Sequence, residues 1–239
     1  MTDDLDSLMV APMPTTDRPL LGLTVLVVED SRFASEAMRL LCLRSGARIR
    51  RADTLSAAHK HLRVYRPNVV IVDLGLPDGS GAELIDELAN ARPRVDVLLG
   101  MSGDSGAEAL AIAAGADGFI EKPISSLGAF QERVLSCLPE GVRPEGLHAV
   151  NSDEISPDPI ALQDDFVHIA DLLTTEGGEN LLDYIAQFLG GVARTAGDAE
   201  MEVAAQALAY HREKGLPYGS EVARIAGLVQ SRIEPRKVV

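Results

Sequence analysis

At 239 residues the chain is too long for one compact unit of about 100–150 residues and long enough for two small domains. Its formal net charge of −14 gives a surface that repels nucleic acid and anionic lipid at long range. No apolar run approaches the roughly 20 residues that cross a bilayer, and with 46% hydrophobic residues, 4% aromatics and no Trp, the core must be built from Leu, Val, Ile and Ala.

The chain begins Met1-Thr2-Asp3-Asp4, without the basic start and apolar stretch of a signal peptide, so a cytoplasmic protein is expected. Residues 1–19 are acidic and carry Pro12, Pro14 and Pro19. They read as a disordered leader in which Met9 and Met13 are alternative starts. From Leu20 short apolar runs alternate with amphipathic stretches. Leu23–Val28 is a buried-strand run ending in Glu29-Asp30. Ser31 caps a helix bearing Phe33, Ala37, Leu40 and Leu41 on one face, and Gly46 stops it. A weak strand spans Arg48–Ala52, and a helix runs from Leu55 to Tyr65, ended by Pro67. Val69–Val72 is the cleanest strand and terminates at Asp73. Leu74–Ser80 reads as a Gly/Pro loop and Ala82–Asn90 as a helix. Val95–Met101 is a strand ending at Ser102, and Ala107–Ala114 a short helix stopped by Gly115. Phe119 and Ile120 form a last strand ending at Lys122-Pro123, followed by a helix over Leu127–Leu138. Cys42 and Cys137 fall among apolar residues on helices and read as buried free thiols of a reducing compartment.

Five strand–helix units in succession imply a doubly wound, five-stranded parallel sheet with helices on both faces. In such sheets the functional crevice lies at the carboxyl ends of the strands. Four of the five strands end there in a residue able to carry chemistry. Glu29, Asp30 and Asp73 would repel one another unless a cation joined them, and a hard divalent ion with oxygen ligands suits that set, Mg²⁺ being the usual choice. Ser102 can donate to a phosphoryl oxygen, and Lys122 can supply a compact positive charge. Each residue taken singly has a bland reading: Asp30 as a helix cap, Asp73 as a turn residue, Lys122 as a surface lysine. Their joint placement at strand ends is what argues for a site.

The text VLVVEDS (Val25–Ser31), VVIVDLGLPDGSG (Val69–Gly81), MSG (Met101–Gly103) and FIEKP (Phe119–Pro123) resembles the receiver domain of two-component response regulators. The resemblance covers Leu23–Leu138, about half the chain. It implies a flavodoxin-like fold, with Asp73 as phosphoacceptor and Mg²⁺ bound by Glu29, Asp30, Asp73 and the carbonyl of Gly75. It implies that Lys122 and Ser102 bind the phosphoryl group, and that Ser102 and Phe119 form a switch biasing the face of the fourth helix, fifth strand and fifth helix. The Lys122-Pro123 bond is often cis in the family. Many relatives have Tyr at the Phe119 position, so this switch is either less sharp, biased inward, or no more than a packed ring. The implied role is a signalling phosphoacceptor with at most slow self-dephosphorylation, not an enzyme. Its implied partners are a histidine kinase or phosphotransfer protein upstream and a protein partner downstream, and a homodimer is compatible. The alternative for this half is a pseudo-receiver, folded but unphosphorylated.

The expected boundaries are a receiver over 20–138, a Pro/Gly linker over 139–160 and an all-α module of about four helices over 161–234. Three readings of that module stay open. It is an interaction or dimerisation module whose amphipathic helices need only a core. Or it is a histidine phosphotransfer-like bundle, since His211-Arg212-Glu213-Lys214-Gly215 resembles the His-x-x-Lys-Gly core of such domains, although Pro217 follows closely. Or it binds DNA, since Ser220–Ile233 resembles a helix-turn-helix with its turn at Gly227 and with Arg232, Arg236 and Lys237 nearby. From Glu140 onward 17 acidic residues stand against 8 basic ones, which argues against nucleic acid as a partner.

Overall fold

Alternate side chains along a strand point to opposite faces, and here each face of the central sheet has its own helices. In the computed structural model the described residues are 13–104, 106–140, 153–175 and 179–233. The strands are β1 (Thr24–Val28), β2 (Arg48–Ala52), β3 (Val69–Asp73), β6 (Val97–Ser102) and β7 (Gly118–Glu121). They form one parallel sheet in the order β2-β1-β3-β6-β7. Val25, Val27, Val69, Ile71, Val97 and Leu99 pack against helices α1 (Arg32–Arg44) and α5 (Leu127–Cys137). Leu26, Val28, Val70, Val72 and Leu98 face the other side. There they meet α2 (Leu55–Val64), α3 (Gly81–Asn90) and α4 (Ala107–Ala113). Exposed Arg48, Arg50 and Arg51 keep the β2 edge from pairing with another chain.

The helices start where the sequence places caps. The side chains of Ser31, Thr54, Ser80 and Ser126 each accept from a backbone N–H in the first turn of the following helix. Gly46, with φ +87°, turns the chain out of α1 into β2. The expected loop over Leu74–Ser80 is instead a small antiparallel hairpin, β4 (Gly75–Leu76) and β5 (Gly79–Ser80).

Two segments expected to be loose are anchored at their described ends. The first twelve residues lie outside the described part, but Pro19 and Leu20 are buried, and the Leu20 N–H donates to the Ser45 carbonyl at 2.9 Å. Residues 141–152 of the expected linker also lie outside it. At its end Glu154 bridges to Ser126, the Ile155 N–H donates to the Ser125 carbonyl at 2.9 Å, and Ile155 is buried in the α1/α5 core. An apolar residue among prolines and acids is what makes that stretch adhere.

The remaining helices are α6 (Pro159–Thr174), α7 (Glu179–Ala196), α8 (Ala199–Glu213) and α9 (Gly219–Ile233). They enclose a separate core that includes Phe166, Ile169, Ile185, Leu189, Leu208 and Ile225. Asp158 caps α6 ahead of Pro159, which stands where a helix needs no N–H. The segment Ser220–Ile233 lies within the single uninterrupted helix α9, so the helix-turn-helix of the third reading is not formed there. Gly227 is accommodated inside that helix, and Arg232 is paired with Asp198, the N-cap of α8, and with Glu200 in its first turn. Arg236 and Lys237 lie outside the described residues.

Candidate functional site: an acidic cluster beneath helix α7

The strand register carries the chemistry to one edge. Val28 pairs with Val72, Asp73 with Met101, and Ser102 with Glu121, so Glu29, Asp73, Ser102 and Lys122 arrive side by side at the carboxyl end of the sheet. The Lys122 N–H donates to the Ser102 carbonyl at 2.9 Å, extending the ladder to the lysine. The Lys122-Pro123 peptide is cis.

Glu29, Asp30 and Asp73 each offer a carboxylate oxygen, and the three atoms lie within 4.8 Å of one another. Lys122 Nζ is 2.6 Å from Glu29 Oε2 and 3.2 Å from Asp73 Oδ1. Both carboxylates and the ammonium are buried. Burial, added to repulsion from the other acids and only partly offset by Lys122, pushes Glu29 well above the usual carboxylate range. Burial also raises Asp73, against Lys122 and hydrogen bonds from the backbone of Leu74 and Gly75. Asp30 is pushed up to about 7 by burial and by the Asp73 charge. For Lys122 burial works toward a lower value, but Asp73 and Glu29 outweigh it and hold the ammonium charged. One cation among two buried acids and a half-buried third leaves an excess of negative charge on an all-oxygen donor set. That is the environment of a hard divalent cation, so the residues fit a metal.

Ser102 is buried at the next strand end, and its Oγ accepts from the Asp104 N–H at 3.1 Å. Phe119 is buried against the α3/α4 side of the sheet. His211 is not brought to this cluster. It lies near the end of α8 with Nδ1 2.6 Å from the Pro217 carbonyl, and Lys214 pairs with Glu213.

Four residues that the sequence did not single out complete the site, all from the helical module. The Tyr184 hydroxyl donates to Asp30 Oδ2 at 2.7 Å. Asp165, buried on α6, accepts from Ser31 Oγ at 2.7 Å, the Arg32 N–H at 2.8 Å and the Phe33 N–H at 3.1 Å. It thereby caps α1, a helix of another domain. The Gln187 amide fills the space that a side chain at Gly75 would occupy, and the Arg194 guanidinium does the same at Gly103. Between α7 and the acidic cluster is a cavity of about 810 Å³.

Residues 25–134 match the family model described as response regulator receiver domain. These residues form a response regulator receiver domain. The KDP operon transcriptional regulatory protein KdpE of Escherichia coli is 32% identical over 110 residues, 46% of this chain and 48% of that protein. The probable transcriptional regulatory protein TcrX of Mycobacterium tuberculosis is 35% identical over 103 residues, 43% of this chain and 44% of that one. The chain thus spans about half the length of the curated relatives it matches. Among solved structures, a putative response regulator from Chloroflexus aurantiacus aligns with 48% of this chain and 96% of its own, at 24% identity and a TM-score of 0.46. The receiver match ends at residue 134, and helices α6–α9 lie beyond it.

Of the two thiols expected to be buried, Cys42 is enclosed and burial lifts it to about 12, whereas Cys137 at the end of α5 is half-buried. Both are free. Among the described residues no helix is long and apolar enough to cross a membrane.

Proposed function

We propose that this protein is the phosphoacceptor of a two-component relay, taking a phosphoryl group from a histidine kinase or phosphotransfer protein onto Asp73. The observation that carries the reading is the convergence of Glu29, Asp30, Asp73 and Lys122 at one sheet edge inside a receiver domain. The Asp73 carboxylate attacks phosphorus; its O–P bond forms as the donor's N–P bond breaks, and that electron pair returns to the imidazole nitrogen. Glu29, Asp30, Asp73 and the Gly75 carbonyl would hold Mg²⁺, which neutralises charge on the incoming phosphoryl group. Lys122 Nζ, already at Asp73, stays charged and takes one phosphoryl oxygen. The Ser102 hydroxyl, whose oxygen accepts from the Asp104 N–H, donates its hydrogen to another phosphoryl oxygen.

Downstream, Phe119 lies behind α4, whose outer surface exposes Leu110 and Ile112. A shift of Ser102 and Phe119 toward the acceptor re-sets that apolar face for a protein partner. Helices α6–α9 act as the output or regulatory module. The test is intact-mass detection of phosphorylation by phosphoramidate, with and without Mg²⁺. Wild type gains one phosphoryl group only with Mg²⁺, and Asp73→Asn gains none while keeping the same circular dichroism. Labelling of Asp73→Asn at the wild-type rate would sink the assignment.

A further inference from the structure

Helix α7 crosses the mouth of the acceptor site with one face, and that face is specialised along its length. Tyr184, Gln187, Gly191 and Arg194 recur at the i, i+3, i+7, i+10 spacing of a single helical stripe. Tyr184 reaches Asp30, Gln187 stands over Gly75, and Arg194 stands over Gly103. Gly191 lies between them over the cavity, where a β-carbon would have nothing within 4 Å. The receiver is shaped to match: a side chain at either Gly75 or Gly103 would have to displace the polar group that α7 lays there.

The same module is fastened beside the site. Asp165 caps α1 with three hydrogen bonds, and Arg32 Nη1 pairs with Asp164 at 2.7 Å. Residues 32, 164 and 165 lie on exactly two helices, α1 and α6, while α6 and α7 share one apolar core through Phe166, Ile169, Ile185 and Leu189. Movement of α6 off α1 therefore carries α7 with it. Hydrogen bonds and an ion pair join the module to the receiver, whereas the module's own helices share an apolar core. A polar seam exchanges its partners for water at little cost, so the seam opens before the module unfolds.

We propose that helices α6–α9 form a lid closed on the acceptor site, with Tyr184 occupying the Asp30 carboxylate and Asp165 latching α1, so that metal loading and phosphorylation at Asp73 both require α7 to lift. This rests on the phosphoacceptor reading above. A donor imidazole cannot reach Asp73 along the line that α7 occupies. A cation bound by Asp30 and the Tyr184 hydroxyl compete for the same carboxylate.

The test uses the full chain in a Cys137→Ser background. Arg32→Cys/Asp164→Cys is joined by a short bis-maleimide, and its unlinked control has both thiols blocked singly. Tyr184→Phe keeps the ring against Phe188 and removes only the hydroxyl. Mg²⁺ affinity is read by calorimetry and phosphorylation rate by intact mass with phosphoramidate. The linked form should bind Mg²⁺ more weakly and label more slowly than its control. Tyr184→Phe should bind Mg²⁺ and label about tenfold better than wild type, the weight of one hydrogen bond to a charged group. Equal affinity and equal rate in linked, unlinked and Tyr184→Phe proteins would overturn the lid and leave the phosphoacceptor reading standing. If Mg²⁺ affinity follows the stated order but no form is labelled, the lid stands and the phosphoacceptor reading fails.

Discussion

Gly81, the first residue of α3, lies where a β-carbon would collide with the backbone carbonyl of Asp73. The obstacle is main chain, which cannot rotate aside as a side chain does. Gly81→Ala must therefore push the acceptor's own peptide out of register with β6, where Leu74 N–H donates to the Met101 carbonyl at 3.1 Å. We expect a loss of about 2–3 kcal/mol in urea unfolding, in the range of overpacking substitutions, together with a reduced rate of Asp73 phosphorylation. Wild-type stability and rate in Gly81→Ala would contradict this account of how Asp73 is held. The acidic residues of the site were legible because each follows an apolar strand run, a local pattern. Asp165 and Tyr184 were not, because their partners are 134 and 154 residues away in sequence. Asp165 did leave one trace: it sits among Leu162, Phe166 and Ile169 on the apolar face of α6, where a carboxylate needs donors from elsewhere.

At the scale of elements, α8 and α9 are joined by a polar clamp. Asp198 caps α8, accepting from the Met201 N–H at 3.1 Å. It also receives Arg232 Nε at 2.9 Å and Nη2 at 3.1 Å. Partial burial opposes its ionisation, but these bonds win and hold Asp198 below its usual value. A carboxylate depressed in the folded state adds stability that is complete above its unfolded value of 3.8 and is lost as pH falls through the folded one. Asp198→Asn should therefore lower the stability of the helical module by about 1–2 kcal/mol at pH 7, the range of a cap with a charged partner. Wild type and variant should converge below pH 4 in thermal melts; a gap that persists unchanged in acid would refute the clamp. Strands and helices of the receiver were legible nearly to the residue, since short apolar runs alternate with capped amphipathic stretches. The β4–β5 hairpin was not, being too short to show a period. The helix-turn-helix reading failed because a glycine inside a helical pattern signals a turn only weakly. The apolar positions Val222, Ile225 and Val229 continue through Gly227 at helical spacing, and packing on α6 and α8 keeps the helix whole.

For the whole molecule, the receiver, with a core on each face of its sheet, meets the helical core across a seam of hydrogen bonds and an ion pair, with the acidic cluster at its centre. Length and the Pro/Gly stretch announced two domains but not how they dock. Amphipathic helices reveal the face that makes their own core and say nothing of a polar stripe such as Tyr184 to Arg194. The receiver's strand ends gather an incomplete charge balance, and the helical module covers it. Both features take their meaning from Asp73 as the residue modified. The most direct test is to treat the full chain with phosphoramidate and Mg²⁺, reduce the acyl phosphate with borohydride, and map the product by peptide mass spectrometry. The account predicts homoserine at position 73, dependent on Mg²⁺. Homoserine at position 30 or 5-hydroxynorvaline at position 29 instead, or no reduction product from folded protein, would contradict it.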